Sequence, residues 1–131
     1  MNKILIVVLM LLIAGCTSKP VLNLYEVTVP NSTNGKESSI ETVQNAIILA
    51  AKRKGWSPRV IKPGLIEASI NVRSHSAKVA INYTEASYNI EYLDSHNLKY
   101  NGKKIHRNYN NWVVNLSRTI QQELGVNTQR F

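Results

Sequence analysis

The chain has 131 residues, with 16 Lys or Arg against 8 Asp or Glu, for a formal charge of +8 at pH 7. One domain's length and a single cysteine exclude a disulfide-stapled scaffold, and the basic balance favours anionic partners. No nucleic-acid-binding signature accompanies the charge, so nucleic acid is excluded from those partners.

In chain order, Lys3 precedes an apolar run from Ile4 to Ile13, and Ala14-Gly15 leads into Cys16. That is the layout of a cleaved secretory signal, too short to span a bilayer comfortably. Ile13-Ala14-Gly15-Cys16 resembles the lipobox of bacterial lipoproteins. The resemblance implies a lipoprotein signal peptide over 1–15, lipidation of Cys16 after cleavage, and a short tether over 16–20. Several acyl chains on one residue exceed the two-signal threshold for stable anchoring. Cleavage removes Lys3 and no acidic residue, so +8 becomes +7. Thr17 stands where an aspartate would favour inner-membrane retention, so the resemblance further implies the outer membrane, facing the periplasm.

Residues 22–29 read as a strand with Tyr25, Val27 and Val29 on one side, followed by a loop over 30–35. From Ser38 to Lys54 the apolar positions Ile40, Val43, Ile47, Ile48 and Ala51 share one helical face. Ser38 and Glu41 have the spacing of a capping box, Gly55 supplies a left-handed stop, and Lys52-Arg53-Lys54 complements the helix dipole. Residues 56–61 predict an edge strand, because Pro58 lacks a ladder donor, and Pro63-Gly64 a type II turn. Period-two alternation follows through Ile66, Ala68, Ile70 and Val72, then Ala77, Val79, Ile81 and Tyr83, then Tyr88, Ile90 and Tyr92, with a turn at 74–76.

Asn101-Gly102 predicts a two-residue hairpin turn with arms over 98–100 and 103–105. A second helix begins near Asn108 as its cap, carries Tyr109, Trp112, Val113, Leu116, Ile120 and Leu124 on one face, and stops at Gly125. The expected domain covers 21–125, with a tail over 126–131. The order β-α-β-β-β-β-α predicts an α+β two-layer sandwich: a mostly antiparallel sheet of four to five strands with two amphipathic helices on one face. The other sheet face, with Glu67, Ser69, Asn71, Lys78, Asn82 and Glu91, is polar enough for solvent.

No G-x-S-x-G context holds a serine nucleophile. His75, His96 and His106 lack zinc-helix spacing, and Asn101-Gly102-Lys103-Lys104 is no P-loop. Glu67 and Glu91 lack a cleft that would make them an acid–base pair. No catalytic residue, metal or cofactor is assigned, and a non-enzymatic binding module is expected. Its candidate anion- or partner-binding residues are Lys99, Lys103, Lys104, His106 and Arg107, gathered around one turn. The partners considered are the membrane through Cys16 and an anionic envelope component: lipopolysaccharide, peptidoglycan or an envelope protein. Two alternatives stand beside this. One is a small-ligand or hydrolytic pocket built from His96, His106, Asp94 and Tyr109; the other is a structural envelope protein without a specific ligand.

Several segments carry a wider likeness: Arg53-Lys54-Gly55-Trp56, Pro63-Gly64-Leu65-Ile66-Glu67-Ala68, Asp94-Ser95-His96-Asn97-Leu98 and Ile105-His106-Arg107-Asn108-Tyr109-Asn110-Asn111-Trp112. Through them, from about Ile40 to Leu124, the chain resembles a family of small bacterial lipoproteins and periplasmic proteins without an assigned activity. In element order it is also similar to two-layer lipoproteins that assist outer-membrane assembly, a likeness of fold and address that carries no function.

Overall fold

In the computed structural model, which describes residues 17–32 and 34–129, the elements are β1 (Ser18–Pro20), β2 (Leu24–Thr28), α1 (Ile40–Arg53), β3 (Trp56–Lys62), β4 (Leu65–Val72), β5 (His75–Tyr83), β6 (Ser87–His96), β7 (Lys104–His106) and α2 (Arg107–Gln129). Cys16 and the signal peptide expected over 1–15 lie outside the described residues.

Alternation puts every second side chain of β4, β5 and β6 on one face, and that face is dry. Ile66, Ala68, Ile70, Ala77, Val79, Ile81, Tyr83, Tyr88 and Ile90 are all buried. They pack with Val43, Ala46, Ile47 and Ala50 of α1 and with Tyr109, Val113, Leu116, Ile120 and Leu124 of α2 in one cluster. Burying each large apolar side chain stabilises the fold by roughly 1.5–3 kcal/mol. The sheet is antiparallel in the order β2-β6-β5-β4-β3. The α+β two-layer sandwich is therefore the observed fold, with β3 and its Pro58 at an edge. A second, two-stranded sheet pairs β1 with β7.

Two bulges change which residues face inward. Leu24 lies opposite Ile90 and Val27 opposite Tyr88, so three steps of β2 match two of β6. The extra residue, at Glu26 with φ 52°, flips the parity. Tyr25 is consequently 59% exposed, while Leu24 and Val27 pack against the core; Tyr25, Val27 and Val29 do not form the expected common face. In β6 the pairs Val79 with Tyr92 and Lys78 with Asp94 leave Leu93 as the extra residue. Beyond it Ser95 pairs with Ala77 and His96 with Ser76, so β6 runs on through residues 94–96, past the alternation of Tyr88, Ile90 and Tyr92.

Local chemistry moves several boundaries by a residue or more. Ser39, not Ser38, caps α1: its Oγ accepts from the Thr42 N–H at 3.1 Å. Ser38 is buried and donates to the Pro30 carbonyl at 3.0 Å, which fixes the preceding loop instead. The β4–β5 turn is Arg73-Ser74, with Arg73 at φ 57°, so His75 and Ser76 belong to β5. Gly64, at φ 87°, accepts from the Tyr83 N–H at 2.9 Å, and a Cβ there would stand 3.3 Å from the Tyr83 carbonyl oxygen. Gly125 does not stop α2, which runs on to Gln129. One glycine costs a helix only about 1 kcal/mol, and no proline follows it.

Candidate functional site

The loop between β6 and β7 is held at both ends by apolar plugs, Leu98 and Ile105, each buried. The chain turns through left-handed Asn97 (φ 59°) just before Leu98, and between the plugs through left-handed Lys99 (φ 56°) and Gly102 (φ 95°). The expected Asn-Gly hairpin turn needs Asn101 in the left-handed region as well, and Asn101 is not among the positive-φ residues. Its side chain makes the turn another way: Oδ1 accepts from the Lys103 N–H at 3.0 Å and the Lys104 N–H at 2.7 Å. Two backbone bonds, Asn101 N–H to Lys104 and His106 N–H to Leu98, close the loop without a strand ladder.

The ladder partner of residues 104–106 is β1. Ser18 lies opposite His106, Lys19 opposite Ile105 and Pro20 opposite Lys104. The Val21 N–H continues the pairing to the Lys103 carbonyl at 3.0 Å. Asn110, in the first turn of α2, clamps the same strand: its Nδ2 donates to the Pro20 carbonyl at 2.9 Å and its Oδ1 accepts from the Leu22 N–H at 3.0 Å. Residues 18–20, expected as tether, are thus strand.

Of the five candidate binding residues, Lys99, Lys103, Lys104 and Arg107 are exposed. His106 has a different task. Its Nδ1 accepts from the Asn108 N–H at 3.1 Å, which makes His106, rather than Asn108, the cap of α2 and places its own ring proton on Nε2. Lys19, also exposed, lies opposite Ile105, on the other face of the two-stranded sheet from Lys104. The ion pairs among the described residues, Arg53 with Glu123 and Arg59 with Glu67, involve none of these cations. The first turn of α2 also carries no acidic residue. Positive charge at a helix N-terminus opposes the dipole, at a cost of about 0.3–1 kcal/mol, so the gathering is not explained by helix stability. His106→Ala is expected to lower stability by about 1 kcal/mol through the lost cap, and His106→Asn to restore most of it; chemical denaturation of the three proteins measures the difference.

Beneath the loop lies a tyrosine cluster that the sequence reading did not assemble. Tyr92 meets Tyr100 in a tilted contact at 4.2 Å between ring centroids and meets Tyr109 edge-on at 5.5 Å. Tyr100 is 40% exposed, whereas Tyr109 is wholly buried. The Tyr109 hydroxyl has no hydrogen-bond partner among the described residues. Burial, and then the neighbouring Tyr92 and Tyr100, push its pKa well above the ordinary tyrosine value. Because the folded state raises this pKa, its contribution to stability is complete below about pH 10 and is lost as pH rises beyond it. Tyr109→Phe is expected to gain about 1 kcal/mol at pH 7 by removing an unsatisfied buried hydroxyl. It should also flatten the fall in melting temperature above about pH 10, read by thermal scans across pH.

The pocket expected from His96, His106, Asp94 and Tyr109 is not formed as a unit. Asp94 and His96 line a concavity of about 310 Å³ on the open sheet face with Ser69, Asn71, Ser76 and Lys78. They also border a second of about 600 Å³ with Leu93, Lys99 and Tyr100. Neither concavity is lined by His106 or Tyr109. His75 is engaged through Nδ1 with the Asn97 carbonyl at 2.7 Å. Among the described residues no group of three His, Cys, Asp or Glu side chains could hold a metal ion, and no helix is long and apolar enough to cross a membrane.

No protein-family model, curated protein or solved structure matches the chain.

Proposed function

We propose that the protein is a lipid-anchored, non-enzymatic interaction module of the bacterial cell envelope, held through Cys16 on the periplasmic face of the outer membrane, and that its basic loop engages an anionic envelope component. One observation carries this reading: the exposed cations Lys99, Lys103, Lys104 and Arg107 have no acidic partner among the described residues, and their segment is laddered to a strand that starts two residues after Cys16. Cations without partners gain most from meeting anions. The short connection keeps them beside the anchor.

The test is membrane fractionation together with mass spectrometry of the mature N-terminal peptide. The expected result is a diacylglyceryl and N-acyl mass on Cys16, and release of the protein from membranes on Cys16→Ser. An unmodified Cys16 in a protein that stays soluble sinks the proposal. A second reading, small-ligand binding at Asp94 and His96, is favoured by the sheet-face concavity alone; Asp94→Asn with unchanged binding across a metabolite panel would remove it.

A further inference from the structure

We infer that the surface formed by Lys99, Lys103, Lys104, Arg107 and Tyr100 lies against the headgroups of the membrane that holds the protein, with anionic phospholipid as its ligand. This inference rests on the anchor reading above and names the partner.

The argument begins with reach. Ser18 is two residues along the chain from Cys16, a span of at most about 7 Å. His106 is its direct neighbour across an antiparallel ladder, about 5 Å further. The backbone of His106 therefore falls within roughly 12 Å of an anchor seated at headgroup depth, with Arg107 one residue and Lys104 two residues further along the chain. That reach is close to the sum of a headgroup layer, about 5–7 Å per leaflet, and a Debye length of about 8 Å. An anionic surface acts on charges at that distance, whereas cell-wall polymer or a protein partner would have to enter the gap.

The chemistry of the surface agrees. Three lysines and one arginine stand exposed with no carboxylate partner among the described residues, and each basic residue near an anionic bilayer shifts the bound–free balance by about fivefold. Beside them Tyr100 is 40% and Leu93 44% exposed, and both line the same concavity as Lys99. Tyrosine with a polar tip and an apolar ring settles at headgroup level. Lysine carries its charge outward on an apolar stem, which suits the same zone. Left-handed Lys99 and the Asn101 turn hold this combination in place, so little ordering is needed on contact.

If Cys16 is acylated, an introduced cysteine is the protein's one free thiol. Full-length acylated protein carrying a spin label at Asn108→Cys or at Gln122→Cys, about 20 Å further along α2, is reconstituted in phosphatidylglycerol or phosphatidylcholine vesicles. Accessibility to a water-soluble relaxation agent is then measured. On phosphatidylglycerol the label at 108 is expected to be shielded several-fold relative to the label at 122. The shielding should be lost on phosphatidylcholine, in 0.5 M salt (roughly a twofold shorter screening length), and in Lys99→Glu/Lys103→Glu/Lys104→Glu, whose circular dichroism melt reports folding independently. A label at 108 that stays in water on phosphatidylglycerol, in protein whose Cys16 lipid is verified by mass, overturns the orientation alone. Protein without that lipid overturns the anchor and the orientation together. Shielding that arises only when envelope proteins are added overturns the assignment to phospholipid.

Discussion

Truncating Tyr88 to alanine is expected to destabilise the fold by about 3–5 kcal/mol, enough to lower the melting temperature by roughly 15 °C or more in a domain of this size. Tyr88 is 1% exposed and lies opposite Val27 in β2 and Tyr83 in β5. Its hydroxyl exchanges a hydrogen bond with Ser117 Oγ at 2.7 Å and accepts from Gln121 Nε2 at 3.0 Å. One ring thereby joins the bulged edge strand, the sheet centre and α2. Tyr88→Phe keeps the ring and removes the bonds to Ser117 Oγ and Gln121 Nε2, the latter keeping its bond to the Thr28 carbonyl at 3.2 Å, so about 1 kcal/mol is expected. A Tyr88→Ala protein that loses less than about 1 kcal/mol in urea titration would remove Tyr88 from this role.

The second large effect concerns the clasp. Ile105 is fully buried in β7 and directly opposite Lys19, so Ile105→Ala is expected to cost about 2–5 kcal/mol. Here the pattern says more than the size. Leu98 and Ile105 belong to the same buried cluster as the main sheet, but the small β1–β7 sheet shares no strand pairing with it and has only three pairs of its own to hold it. Amide hydrogen exchange should therefore quicken first in residues 18–22 and 98–106 while β4 and β5 stay protected. Lys104→Ala, on the same short strand but exposed, should leave both regions within about 0.5 kcal/mol of the parent. Uniform loss of protection across the sheet in Ile105→Ala would show that the clasp is not a separate unit.

Most of the fold was legible because its signals are local and repeated. The alternation from Ile66 to Ile90 and the spacing of Val43, Ile47, Val113, Leu116 and Ile120 need only a period and an apolar partner layer. Single-residue decisions were less legible. Ser38 and Ser39 are equally good caps as letters, and the choice fell to Ser39 because Ser38 is taken by the Pro30 carbonyl. The expected common face of Tyr25, Val27 and Val29 failed because a bulge at Glu26 leaves no apolar or polar mark when one residue is inserted.

The candidate site divides along the same line. Composition and proximity alone gathered Lys99, Lys103, Lys104 and Arg107 and marked Leu98 to Ile105 as a turn-centred segment. Nothing local showed that His106 spends its ring on capping α2, that Asn110 holds residues 20 and 22, or that Tyr92, Tyr100 and Tyr109 form one cluster. Least visible was the pairing of Ser18–Pro20 with Lys104–His106. A three-residue strand carries too little pattern to register, and its partner lies more than eighty positions away. By itself the sequence determined the layers, the charge and the run of residues leading to Cys16, since each follows from periodicity or composition. Only the tertiary structure decided that the basic loop is laddered to the segment just after that cysteine, because cross-chain hydrogen bonding and the burial of Ile105 exist only once the core has formed.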